Sequence, residues 1–414
     1  MILARLALRN LLRQRRRTLL TLLVLVAGFV ALSLAGGFMA QTFQGLSDGA
    51  IRGGLGHVQL LPPAALESGE EGSLEQALPE GEALATTLRQ DPAVAAVLPR
   101  LTFMGLLSNG PRSVAYLGTA VDPEGEARHM AVADQVKDGA RAPAGAGSRW
   151  LSADPSAREA VLGLGLARSL GARVGSSLTL MSTTRGGALN AVDVEVVGLL
   201  DLGLKELNDR SLTVSLATGD LLLQPEGARS RLSVVLKDPA HTDAFAARLA
   251  AAHPTLAVKP WHQLAAFYQQ VRLLYFAIFG FMGLVLFLVV FLATANTLLM
   301  GVMERIREFG VLRATGLQAR SLIQLLQWEG AVLGLLGSGL GLLLTLLLRA
   351  GLNALHLQMP APPGTSHGYE LNIHLVPAVY LGAWLFLQVT LQLSALLPGL
   401  KAAKLRIVEA LRHV

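Results

Sequence analysis

Four long apolar stretches constrain this chain more than anything else in it: Thr18–Ala40, Leu273–Met300, Leu322–Leu348 and Val376–Pro398. A helix needs roughly 20 apolar residues to cross the hydrocarbon core of a bilayer, and each stretch supplies them. The 414 residues are 52% apolar and only 15% charged, which suits neither a disordered chain nor an ordinary soluble domain. Most of the remainder is one insertion between the first two stretches. The expected fold class is a polytopic α-helical membrane protein with four transmembrane helices and a large two-lobed α/β domain between helices 1 and 2.

Basic residues set the expected orientation. Arg5, Arg9, Arg13, Arg15, Arg16 and Arg17 precede the first stretch, and Arg305, Arg307, Arg313 and Arg320 separate the second from the third. Lys401, Lys404, Arg406 and Arg412 follow the fourth, whereas the loop between the third and fourth has only Arg349 at its edge. The positive-inside rule puts both termini and residues 301–321 in the cytoplasm and the insertion on the other side. The net charge of +6 therefore reports topology and implies no nucleic-acid partner. The first apolar run is about twice as long as a signal-peptide core, so an uncleaved anchor is expected. Cysteine is absent, so the redox compartment cannot be read from it.

Residues 1–17 place Arg5, Arg9 and Arg13 on one helical face and Leu3, Ala7 and Leu11 opposite, which suits a helix lying along the cytoplasmic interface. The spans are 18–40, 322–348 and 376–398, with a stalk and second span over 261–300. A short external loop covers 349–375 and a cytoplasmic tail 399–414. In the external domain, 41–270, the segments 57–61, 94–99, 101–108 and 113–121 read as strands and 79–90 as a helix. "EAVLGLGLARSLG" reads as a helix, then "SLTLMS", "VDVEVVGLL", "LTVSLA" and "RLSVVLKD" as strands, and "HTDAFAARLAAAH" as a helix. The alternation resembles a split βαβ arrangement. The Gly, Ala and Pro rich stretch 138–148 is the expected boundary between lobes at about 41–140 and 149–260. A continuous helix over 261–300 would be about 60 Å long, against a hydrocarbon core of about 30 Å. The excess, "WHQLAAFYQQVR", would form the stalk; a break near Arg272 is the alternative.

Several chemistries are missing. No Gly-Lys dipeptide occurs, so the phosphate-cradling P-loop is absent, as are H-E-x-x-H and any cysteine ligand set. The nine histidines are scattered without metal-ligand spacing. An enzyme reading has almost nothing to rest on. Gly330, Gly334, Gly337 and Gly341 in the third span let helices approach closely in lipid. Glu329, close to the cytoplasmic end of that span, is expected to pair or snorkel rather than relay protons.

"ANTLLMGVMERIREFGVLRATGLQARSLIQLLQWEG" (295–330) leaves the apolar phase briefly, carries both signs of charge and returns. Val302, Ile306, Phe309 and Leu312 follow a helical stripe, with Glu304, Arg305, Arg307, Glu308 and Arg313 on the other faces. Gly310 and Gly316 are placed to bend or end the helix. Such a helix can float its stripe at the headgroups or fill a groove on a soluble partner.

This region resembles the signature segment of FtsX-like permeases, the membrane subunits of ABC systems that include MacB-like exporters and lipoprotein-releasing complexes. The match rests on Glu304, Arg305, Arg307, Glu308, Gly310, Leu312, Arg313, Ala314, Gly316 and Glu329. "LPGLKAAKLRIVEALRH" resembles the family's closing segment; "EAVLGLGLARSLGARVGSSLTL" and "VKPWHQLAAFYQQV" are similar to external segments of the lipoprotein-releasing subgroup. The resemblance implies a non-catalytic permease of a bacterial inner membrane, paired with a second copy or paralogue and served by a cytoplasmic ABC ATPase dimer. Residues around 303–316, Ile306 and Phe309 included, would form the coupling helix. No cofactor would be bound by this chain, with ATP and Mg2+ on the ATPase. A periplasmic carrier, a lipoprotein and membrane lipid are the further partners implied. Carrier-binding members extend a Pro-containing hairpin, but "MSTTRGGALNAVDVEV" (181–196) is short, Gly-rich and free of Pro, which counts against direct handover to a carrier. The alternatives within the family are a regulatory subunit activating a periplasmic hydrolase and an efflux permease.

Overall fold

The computed structural model describes residues 10, 13, 15–68, 74–131, 136, 147–201, 205–359 and 369–404. The helix expected over 1–17, the boundary at 138–148 and the tail 399–414 fall largely outside the described residues. The chain divides into a helical unit (Met1–Gln44, Val271–Gln358, Glu370–Val414) and a strand-rich unit (Gly45–Gln270, Met359–Tyr369).

In chain order, α1 (Arg15–Ala50) runs past its expected end at Ala40 and is followed by a wide turn, Ile51–Leu55. Then come β1 (Val58–Leu61), α2 (Gly81–Leu88), β2 (Val94–Ser108), β3 (Ser113–Val121) and α3 (Pro123–His129). Next are β4 (Glu159–Gly163), α4 (Leu164–Leu170), β5 (Ser177–Thr183), β6 (Leu189–Leu200), β7 (Ser211–Ser215) and α5 (Leu216–Leu223). β8 (Arg231–Leu236), α6 (Thr242–Ala252) and β9 (Ala257–Pro260) complete the strand-rich unit. The helical unit resumes through α7 (Ala266–Glu304), α8 (Ile306–Ala314), α9 (Ala319–Ala354) and α10 (Pro377–Lys404).

The strand-rich unit is built on two ideas. Strands β2, β8, β1 and β9 pair antiparallel in that order. With α2 between β1 and β2 and α6 between β8 and β9, this is the split βαβ arrangement. Its core joins Val58, Leu60, Ala85, Val97, Val234 and Phe245. The second idea is a closed ring of strands, β2–β3–β7–β4–β6–β5–β2, inserted between the two βαβ halves. Along β6, Val192, Val194 and Val196 point into its core while Asp193 and Glu195 point out, the period-2 signature of a strand with one wet face.

Two expectations change. The cores are not the contiguous lobes 41–140 and 149–260: one draws on 58–97 and 232–249, the other on 101–223. β2 belongs to both, because it is one strand across Arg100 rather than the two expected. "EAVLG" is a strand, not the start of a helix; β4 is central and buried on both faces, so no alternation marks it.

In the helical unit, four helices are long and apolar enough to cross a membrane, counted among the described residues. α1 and α7 pack antiparallel in one register, from Thr21–Thr297 (3.2 Å) to the Phe43–Tyr275 ring contact (5.8 Å). The rod α7 is 39 residues long, about 58 Å at 1.5 Å per residue. The helix expected to run unbroken over 261–300 is interrupted at Ala265, not at Arg272, so Trp261–Leu264 is separate from the rod. α9 and α10 are tied by reciprocal glutamines: the side-chain amides of Gln327 and Gln392 each donate to the other's backbone carbonyl, at 3.2 and 3.3 Å.

Candidate functional site

α7 stops at Glu304 because Arg305 leaves helical geometry (φ −116°, ψ 18°), and α8 starts at Ile306. α8 ends at Ala314, and the chain turns just beyond it at Gly316, whose φ of +99° an L side chain resists. The Leu317 amide donates to Leu312 O (3.0 Å) and the Gly316 amide to Arg313 O (3.1 Å), the paired bonds of a Schellman motif. The excursion is thus a nine-residue helix with two defined corners.

Its apolar side faces inward. Phe309 of α8 and Val302 near the end of α7 join Leu322, Leu325 and Leu326 of α9 and Ala402 of α10 in one cluster, and Ile306 and Gly310 of α8 are buried as well. Burying a side chain such as Ile306 or Phe309 stabilises by about 1.5–3 kcal/mol. The stripe is therefore engaged within the chain rather than held at headgroups or reserved for a partner. Leu312 departs from the expected stripe: it is 39% exposed, beside Val311 at 48%. Arg307, Val311, Leu312 and Ala314 form the outward surface.

The charges brace the corner. Arg305 Nε donates to Glu308 at 2.9 Å, its Nη1 reaches Glu329 at 3.5 Å, and its guanidinium lies 5.1 Å from the Phe309 ring centre. The Arg305 hydrogen bond holds the Glu308 carboxyl below the usual range, against a smaller opposing effect of burial. Glu329, buried, also accepts from Asn10 Nδ2 at 2.7 Å. Arg17 meets Glu304 at 2.6 Å and Arg13 meets Glu308 at 3.4 Å. Arg313 turns back and donates to the Ala403 carbonyl (3.1 Å) in the last turn of α10, satisfying an acceptor the helix leaves over. Spacing predicted the residues of α8 itself, but not Asn10, Arg13 and Arg17, which come from a segment remote in sequence.

The glycine row of α9 separates into two kinds. A Cβ at Gly337 would lie 2.7 Å from Leu25 Cβ, and one at Gly341 2.8 Å from Phe29 Cβ, so these two admit α1. Gly334 faces the Gln388 side chain at 2.6 Å, while Gly330 has ordinary room, 3.4 Å to Leu391 O. Gly36 and Gly37 of α1, which the sequence reading passed over, are crowded in the same way by Val379 and by the His374 carbonyl.

The model of the MacB-like periplasmic core domain matches residues 18–252, and that of the FtsX-like permease C-terminal region matches 280–407. The chain belongs to the MacB-like, FtsX-like permease family. This permease is 25% identical over 221 residues to the lipoprotein-releasing system transmembrane protein LolC of Neisseria meningitidis serogroup B, covering 51% of this chain and 52% of the relative. It is also 25% identical over 224 residues to an uncharacterised ABC transporter permease of Methanocaldococcus jannaschii, covering 52% and 54%. The permease spans about half the length of the curated relatives it matches. The solved periplasmic region of MacB from Actinobacillus actinomycetemcomitans superposes with a TM-score of 0.36 at 14% identity, over 53% of this chain and 95% of that one.

The hairpin expected to bear on carrier binding is held down. At the β5–β6 turn, the Arg185 amide donates to Leu223 O (2.9 Å) and its Nη1 to Pro225 O (3.0 Å), while Asn190 Nδ2 donates to Leu222 O (2.9 Å). The residues flanking the turn are thus tied to the C-terminal end of α5, while Gly186 and Gly187 at its tip are exposed.

Proposed function

We propose that this permease is the non-catalytic membrane subunit of a mechanotransmitting ABC transporter. A separate cytoplasmic ATPase, which carries the ATP and Mg2+, seats on the outward face of α8. Its closure moves α1 and α7, and the strand-rich unit does work on a lipoprotein or another amphiphile in the outer leaflet of a bacterial inner membrane. The permease acts paired with a second copy or a paralogue. Both termini and α8 lie in the cytoplasm. Residues Glu304 to Gly316 form the coupling element, with Arg307 and Leu312 on the contact face and Arg305 at the corner.

The observation that carries this reading is the construction of α8. Its apolar side is anchored on α9 and α10, both corners are fixed, and a small mixed surface of Arg307, Val311 and Leu312 remains outward. A helix that only floated at headgroups would present its apolar stripe outward instead. The pinned β5–β6 turn supports release without direct handover to a carrier through that hairpin.

The test is ATP turnover and cargo release by the permease reconstituted with its ATPase in liposomes. Arg307→Glu combined with Leu312→Glu changes only exposed side chains, so thermal unfolding stays unchanged. Capture of the ATPase falls by about tenfold or more, the scale of losing one contact worth about 1.4 kcal/mol. Unaltered capture and turnover would remove α8 as the seat. Release of the cargo at the same rate without ATP would remove transport as the task.

A further inference from the structure

The Ile51–Leu55 turn that leads out of α1 closes on Gly54, at a φ of +125°. The Gly54 carbonyl accepts from Ser233 Oγ (3.0 Å) on β8 and from Gln59 Nε2 (3.4 Å) on β1. Against Gly54 lies the Arg100 guanidinium, so close that a Cβ on residue 54 would clash with it. Arg100 holds Glu126 of α3 through two parallel bonds, Nε to Oε1 at 3.0 Å and Nη2 to Oε2 at 2.9 Å. Both residues are buried, Glu126 to 1% exposure. The Ala131 amide, just past α3, donates to Arg52 O (2.9 Å) in the same turn. Arg100 also marks the place where β2 changes partner: Arg100 pairs with Arg231 of β8, and Leu101 pairs with Ala120 of β3.

One ion pair therefore links the turn out of α1, β2 at the point where it passes from the split βαβ half into the closed ring, and α3, which follows β3 of that ring. Stability does not account for it, since desolvation of a buried pair offsets its attraction and apolar side chains of similar size often serve as well. A bidentate guanidinium–carboxylate pair does fix an angle and a distance. We propose that Arg100 and Glu126 are positioning residues that carry displacement of the α1 exit turn into the closed ring. The inference rests on the force-transmitting reading given above. Without the pair, the βαβ half follows the turn and the ring lags.

The test uses the full chain with its ATPase in liposomes. Because the protein has no cysteine, spin labels can be introduced without background. Leu375→Cys in the helical unit is paired with Thr86→Cys in the βαβ half, or with Ser113→Cys in the ring. Distances are measured by pulsed electron resonance, nucleotide-free and trapped with ATP and vanadate. With Arg100 and Glu126 in place, both distances shift on trapping. In Arg100→Met combined with Glu126→Met, ATP turnover stays within twofold, the Thr86 shift persists, and the Ser113 shift falls by at least half. An unchanged Ser113 shift would make the pair merely structural and overturn the proposal. No shift in either distance with the pair intact would instead remove the force-transmitting reading itself. If the double variant does not fold, Glu126→Gln, which keeps the volume and one hydrogen bond, is read by the same criteria.

Discussion

Gly337 and Gly330 differ in what their Cβ positions meet: Leu25 alone for the first, Leu391 and Ala395 for the second. Alanine at Gly337 drives a methyl group into Leu25, near the stem of that side chain, whereas alanine at Gly330 meets only ordinary contacts. Gly337→Ala should destabilise the helical unit by about 1–3 kcal/mol, the usual cost of overpacking. Gly330→Ala should not destabilise it, since a Cβ there finds ordinary room and alanine favours a helix interior over glycine by about 0.8–1.0 kcal/mol. Reversible unfolding in mixed micelles checks both, and equal effects would contradict the packing described. The sequence made the glycine row visible as a row but could not rank its members, because the crowding atoms belong to α1 and α10. The same limit hid Asn10 and Arg17. Spacing reports neighbours on one helix, and the Asn10–Glu329 hydrogen bond joins residues 319 positions apart.

At the scale of the element, α8 was legible as a helix and less so as a surface. At about 100° per residue, Phe309, Gly310 and Arg313 stay within about 60° of Ile306, while Leu312 swings to about 120° away. That rotation explains why Leu312 is exposed and why Arg313 can reach back to α10. "EAVLG" shows the complementary limit: a short apolar run that is buried on both faces has the same composition as a helix segment. The end of α8 offers the sharper test. Gly316→Ala places a Cβ at a φ of +99° and should cost about 1–2 kcal/mol. It should also loosen the turn that sets the entry of α9, so ATPase capture weakens together with thermal stability. Loss of neither would mean that the corner is not fixed by its backbone geometry.

For the whole molecule, the four spans and the α/β character of the insertion could be read from apolar run length and strand alternation. The nesting of one strand system inside another could not, because β1 pairs with β8 and β9 across an insertion that periodicity does not register. Sidedness is open to direct measurement. In sealed, right-side-out vesicles, Ser113→Cys should react with an impermeant thiol reagent, and Thr315→Cys should react only after permeabilisation. Reaction of Thr315→Cys from outside would invert the proposed arrangement.

The Val58–Pro260 pairing has a consequence for biogenesis. In the proposed orientation, the inserted ring has all its strands across the membrane before the surrounding sheet can close, since β8 and β9 follow it in the chain. Pairings so distant in sequence form slowly. The segment that completes the sheet is followed within a few residues by α7, so in that orientation closure of the sheet and membrane insertion of α7 depend on the same short stretch of nascent chain.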